Sequence, residues 1–205
     1  MGIFSTKEKP RNLPSDINSL LGQVVDRRRD GLYDRVRLSA VDPTPREIAC
    51  FQVPVGLPAV DGKVRTYSDT NLFGQGSQLP APVELIIRRF LFVFQPSNDP
   101  ADVNAFLASY VWGYWLLQKR LQQAPVLQAA VKGEMKDLVR NFGAEDCKGT
   151  IERLAVPFSY NLGDSAIFLP PLCFFVVKLE GEPIKLRRDL DFYVILDGTM
   201  DWPVQ

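Results

Sequence analysis

Apolar residues gather along the chain in short runs separated by proline and glycine, a texture that predicts strands. Val83 to Phe94 (VELIIRRFLFVF) is the strongest run. Ile48 to Val55 (IACFQVPV), Leu172 to Leu179 (LCFFVVKL) and Leu190 to Leu196 (LDFYVIL) are the others, the last two ended by turn signals at Glu180-Gly181-Glu182-Pro183 and Asp197-Gly198. Asp61-Gly62, set between Val60 and Lys63-Val64, predicts a hairpin because both turn positions tolerate positive φ. Helical spacing is found elsewhere. Ile17, Leu20, Leu21, Val24 and Val25 predict a short amphipathic helix, capped by Ser15 or Asp16 and ending near Arg27-Arg28-Arg29-Asp30-Gly31.

Asn98-Asp99-Pro100 supplies a cap and a proline at the first helical position, predicting a helix over Pro100 to Ser109 with Val103, Phe106 and Leu107 on one face. Tyr110 to Leu121 fits either a continued helix or an aromatic-rich strand, and the strand is preferred. Leu127, Ala130, Val131, Leu138 and Val139 predict a second amphipathic helix that ends near Asn141 to Gly143. Residues 1–14 are polar and proline-containing, and read as an arm.

The order is strands, a helix-containing insertion, then strands again. It lacks the regular strand-helix alternation of a doubly wound α/β protein and favours an antiparallel sandwich. The domain layout expected is an arm and amphipathic helix over 1–45, then a sandwich over 46–205 with an insertion at about 97–150. Leu172 to Val177 and Phe192 to Leu196 are apolar on both faces, so their outer faces need a cover from the insertion helices or from neighbouring subunits.

Composition narrows the chemistry. Histidine is absent from all 205 residues, which removes Ser-His-Asp and Cys-His nucleophiles, imidazole bases and His-based metal sites. Carboxylate, lysine and tyrosine chemistry survive that exclusion. Lys+Arg and Asp+Glu are 24 each, so bulk electrostatics do not hold nucleic acid. Cys50, Cys147 and Cys173 stand far apart with no C-x-x-C, indicating neither zinc nor a disulfide framework. Residues 1–16 carry no signal-peptide core.

The segment Thr70 to Pro82 (TNLFGQGSQLPAP) has the glycine spacing of a phosphate cradle at Gly74 and Gly76. Leu79 stands where a third glycine is needed, and a strand follows where a helix would be required. Gly74 and Gly76 therefore read as turn residues, and Pro80 and Pro82 as a stiff extended approach to the strand. The carboxylate pairs Glu145-Asp146, Asp189 with Asp191 and Asp197 with Asp201 flank apolar strands, where such residues are ordinarily solvated turn positions. Arg88-Arg89, charged in mid-strand, calls for an ion pair within the fold or across a subunit boundary. Arg27 to Arg29 suits a helix C-terminus, or alternatively a contact with nucleic acid or anionic lipid.

Two passages, TNLFGQGSQLPAPVELIIRRFLFVF at 70–94 and FFVVKLEGEPIKLRRDLDFYVILDGTMDWPVQ at 174–205, resemble the capsid proteins of tailless icosahedral phages of the tectivirus and corticovirus kind. The shared pattern is a Thr-Asn-Leu and Leu-Pro-x-Pro lead into a long strand, a Leu-Asp-Gly turn and a closing Pro-Val-Gln. The resemblance implies a jelly-roll sandwich that assembles with itself and other virion proteins into a shell, often over an internal membrane. Larger members carry two rolls; about 16 strands of typically 5–6 residues would nearly exhaust this chain, so one roll with an insertion is expected. The expected product is a structural virion protein made in the host cytoplasm, not an enzyme and without cofactor or metal. Phe73, Arg88, Arg89, Trp112, Trp115 and Trp202 are the subunit-interface candidates, since buried aromatics and arginines dominate such contacts. Arg27, Arg28 and Arg29 are the candidates for a membrane or packaged genome. The alternative is a β-sandwich binding module for carbohydrate, using exposed aromatics of the insertion.

Overall fold

The structure, a computed structural model, describes residues 24–28, 31–118, 126–140 and 158–204. Its strands are β1 (Val24–Arg28), β2 (Gly31–Leu38), β3 (Glu47–Cys50), β4 (Glu84–Phe94), β5 (Tyr110–Gln118), β6 (Val126–Glu134), β7 (Val139–Arg140), β8 (Phe158–Asn161), β9 (Ile167–Leu169), β10 (Phe175–Gly181) and β11 (Leu190–Val204). One helix, α1 (Pro100–Ser109), precedes β5, and a single 3-10 turn (Met135–Asp137) separates β6 from β7. The chain is mainly β, arranged as two antiparallel sheets in a sandwich.

The larger sheet runs β1-β11-β4-β8-β7. Two further strands share its edges: β2 pairs the first part of β11 from Leu190 to Asp197, and β9 pairs the first part of β4 from Leu85 to Ile87. The smaller sheet runs β3-β10-β5-β6. Alternation sorts the side chains. In β11 Phe192, Val194 and Leu196 point into the core, while Tyr193 and Ile195 lie half-buried on the other side.

The core is aromatic. Phe90 of β4 sits 4.9 Å from Trp112 and 5.4 Å from Tyr114 of β5, so the two sheets meet ring on ring. Fully burying one such side chain stabilises the fold by roughly 2–3 kcal/mol. α1 closes one end of the sandwich: Phe106 stacks on Tyr110 at 4.3 Å and lies 5.3 Å from Phe192. The helix starts where the cap motif puts it, with the Asp99 carboxylate accepting from the Ala101 N–H.

Several expectations are corrected. Val24 to Arg28 is a strand on the far part of β11, so no helix reaches Arg27; residues 17–23 of that helix, the arm 1–14 and Arg29 lie outside the described residues. Because β1 and β2 both pair β11, residues 24–28 and 31–38 belong to the sandwich and not to a separate N-terminal unit.

The helix expected over Leu127 to Val139 is β6, the 3-10 turn and β7. A glycine inside a helix costs about 1 kcal/mol relative to alanine, whereas in β6 Gly133 makes room for an indole: a Cβ there would lie 2.8 Å from Trp112 Nε1. β5 is an inner strand of the smaller sheet, so this part of the expected insertion builds the sandwich. The run Ile48 to Val55 stops being a strand at Cys50, because Phe51 turns to φ 62° with its ring fully buried. β11 does not end at Asp197-Gly198 but continues to Val204.

Part of the outer face of β2 and β11 is covered by the connection 51–83. The Tyr193 hydroxyl donates to the Ser68 carbonyl at 2.7 Å.

Candidate functional site

Two features of β4 and β11 combine to make a surface cleft. Opposite β11, Asp197 pairs with Arg89 but the next residue, Gly198, pairs with Ile87, so Arg88 is an extra residue in β4. This is a β-bulge, and it shifts the alternation: Leu85 and Ile87 point inward before it, Phe90, Phe92 and Phe94 after it. Both arginines are thereby aimed outward.

Gly198 is required at the bulge, since a Cβ there would stand 1.8 Å from the Ile86 carbonyl oxygen. The Leu162 N–H donates to the Arg88 carbonyl at 3.0 Å, fastening the loop after β8 alongside. The result is an open cleft of about 640 Å³ lined by both arginines, Asp197, Thr199, Asn161 and the glycines at 163 and 198.

Within it the two arginines differ. Arg89 is bound to Asp197, through Nε at 2.6 Å and Nη2 at 2.5 Å to the same Oδ2. The exposed Arg88 side chain has no hydrogen bond or ion pair among the described residues. The mid-strand arginines thus satisfy one ion pair inside the fold and leave one guanidinium open. An open cation beside an oriented Arg–Asp pair can bind an oxyanion.

The remaining candidates scatter. Trp112 is 1 % exposed and packed among Phe90, Phe92 and Tyr160, which makes it a core residue beyond the reach of a neighbour. Trp115 lies on the outer face of the smaller sheet, its ring 4.1 Å from the Lys132 ammonium. Phe73 packs on exposed Tyr67 with centroids 5.6 Å apart. Trp202 stands opposite Asp26, and Arg27 and Arg28 stand opposite Asp201 and Met200, in the β1–β11 ladder; those tryptophan and arginine side chains lie outside the described residues. The aromatics of the expected carbohydrate platform are therefore buried (Tyr110, Trp112, Tyr114) or already faced by a cation (Trp115). The carboxylate pairs also resolve separately: Asp191 binds Arg35, Asp189 accepts from the Ala40 N–H at 2.8 Å, and Glu145-Asp146 lies outside the described residues.

Sequence reasoning missed the charged strap that Thr70 to Pro82 belongs to. β2 has a free edge, and the strap pairs with it: Arg35 N–H donates to the Asp69 carbonyl at 2.7 Å, and the Asn71 side chain bonds both Tyr33 N–H and the Gly31 carbonyl. Covering an edge in this way removes a template for unwanted pairing. Thr70, Leu72 and Leu79 are fully buried, and Gly76 lies against the Gln52 carbonyl with no room for a Cβ.

Asp34 on β2 accepts from the Phe51 N–H at 2.6 Å and from Arg65. Burial pushes its carboxyl up to about 6, against the opposing pull of the Arg65 charge and these hydrogen bonds. Asp69 differs: burial raises it, but hydrogen bonds from the Thr66 N–H and hydroxyl and the charges of Arg37 and Arg65 outweigh burial and leave it below the usual carboxylate value.

No group of three or more Cys, Asp and Glu side chains among the described residues is arranged to hold a metal ion. Among these residues no helix is long and apolar enough to cross a membrane. No protein-family model, no curated protein and no solved structure matches this chain.

Proposed function

We propose that this chain is a structural virion protein, a capsid shell subunit of a tailless icosahedral phage that assembles with copies of itself. The observation that carries this reading is the strand order. Setting aside β7, a two-residue strand at the sheet's edge, and β1, which extends along β11 beyond β2, and counting β8 and β9 together as neighbours on one edge of β4, the sheets read β2-β11-β4-β8/β9 and β3-β10-β5-β6. The first strand lies beside the last, the second beside the second-last, and successive strands alternate between sheets except at β5 and β6, which pair with each other. That interleaving is the order of a single eight-stranded jelly roll, two Greek keys wound together.

The order supports the resemblance of the 70–94 and 174–205 passages to capsid proteins, since those passages supply β4, β10 and β11, three of the four inner strands of the roll. In this reading the mechanism is burial of outer faces and loops against neighbours. Arg88, the Phe73–Tyr67 pair and the Val111–Trp115 face are the exposed elements available for it. The N-terminal segment with Arg27, Arg28 and Arg29 is the part offered to an internal membrane or packaged genome.

The test is direct. Purified protein is followed by sedimentation across a wide concentration range, and its native source is imaged by electron microscopy. Concentration-dependent capsomers and shells containing the chain are expected. A chain that stays monomeric at high concentration, with no shell in the source, overturns the proposal.

A further inference from the structure

We propose that the cleft at the β4 bulge is a carboxylate-binding site, in which Arg88 receives one acidic side chain presented by another protein surface. The bulge creates it by placing an additional arginine where a regular strand would have only Arg89. Asp197 holds Arg89 through two contacts, so that pair forms an oriented wall of the cleft. Arg88 stands exposed over a floor of Gly163 and Gly198, and Asn161 and Thr199 add an amide and a hydroxyl within the same 640 Å³.

The charge of the lining decides the ligand. Two arginines against one aspartate leave a single positive charge, which suits a monoanion, while Asp197 repels the second charge of a phosphate monoester. A planar guanidinium fork with no hydrogen bond or ion pair among the described residues matches a carboxylate bidentately. A phosphodiester is also a monoanion, but nucleic acid is held by several cations acting together. Here one arginine is open, in a chain with 24 basic and 24 acidic residues. The site stands apart from the shell proposal, because a monomeric chain would overturn that proposal and leave the cleft untouched.

The experiment is arginine modification of the dispersed full chain with phenylglyoxal, read residue by residue by mass spectrometry. The probes are N-acetylglutamate methylamide, its neutral glutamine counterpart, and dimethyl phosphate. Arg88 is expected to react faster than Arg89, which Asp197 shields. The glutamate probe should slow Arg88 saturably, by about tenfold at about ten times its half-protecting concentration. It should leave unchanged the exposed Arg187, which does not line the cleft and whose backbone N–H is bound to Asp102. Absence of saturable protection, equal protection by the glutamine probe, or equal slowing of Arg187 overturns the site. Tighter protection by dimethyl phosphate than by the glutamate probe overturns the carboxylate assignment in favour of a phosphodiester.

Discussion

Asp34 and Asp197 each face an arginine, yet the surroundings of the two pairs are opposite. The Asp34 and Arg65 side chains are 5 % and 12 % exposed, whereas Asp197 and Arg89 are 22 % and 36 % exposed. The first pair fastens the 51–83 strap to the inner side of β2, and Phe51 adds its backbone N–H. The second lies partly exposed on the outer face of the larger sheet, next to an arginine with no hydrogen bond or ion pair among the described residues. Breaking a buried pair leaves a desolvated charge behind, while breaking an exposed one lets water replace it. The same two residue types therefore serve a structural role in one place and leave room for binding in the other.

Replacing Asp34 gives the largest expected effect. Asp34→Ala strands the Arg65 guanidinium in the interior and should destabilise the fold by about 3–5 kcal/mol in chemical denaturation. The Asp34→Leu, Arg65→Met double variant removes both charges and should recover much of that loss. If the double variant is as unstable as the single, the strap is not held by this pair and the contrast with Asp197 fails.

The pH dependence sharpens the same contrast. With its folded pKa raised to about 6 from 3.8, Asp34 keeps its proton in the folded state over a window where the unfolded chain has lost it. The folded state then binds more protons, so this residue lowers stability as pH rises from about 4 to about 6, on the order of 3 kcal/mol in all. Asp69 acts with the opposite sign: its depressed pKa contributes stability above the usual carboxylate value, lost as pH falls through the folded one. Melting temperatures across pH 3 to 8 should show the Asp34 decline in the parent and a flatter profile in Asp34→Asn; parallel profiles would refute it.

At the bulge the backbone matters more than the charge. Gly198→Ala forces a Cβ onto the Ile86 carbonyl and should cost about 2–3 kcal/mol by strand separation, with denaturant midpoint as the readout. A cost below that of Asp197→Ala would mean that β11 can slide past the bulge.

How much of this was legible in the sequence follows from the period of each signal. β4, α1 and the two C-terminal strands were readable because long apolar runs and an Asn-Asp-Pro cap are local features. The strand at Tyr110 was readable from its aromatics. β1 and β6 were not, since Val24-Val25 and Leu127 to Val131 are short apolar runs that satisfy either period, and the ladder partner that decides between them is remote in sequence. Asp197-Gly198 carries the composition of a turn, but its glycine answers to a carbonyl more than a hundred positions away on β4. The site was half legible. A double arginine in mid-strand announced itself, while the bulge that separates the roles of Arg88 and Arg89 depends on register, which only the paired strands define.

The smallest expected effects are the ones that separate those two arginines. Arg89→Met removes one partner of a half-exposed pair; after screening by solvent its cost should be at most about 1 kcal/mol. Arg88→Gln removes an exposed side chain with no hydrogen bond or ion pair among the described residues and should leave stability within about 0.5 kcal/mol. Urea midpoints measured side by side give the order Arg89 above Arg88, and inverted values would mean that Arg88 is part of the fold. A residue held by a bulge at the head of a cleft, whose replacement leaves stability unchanged, has its consequences outside the chain, and loss of assembly in that variant is where they should be seen.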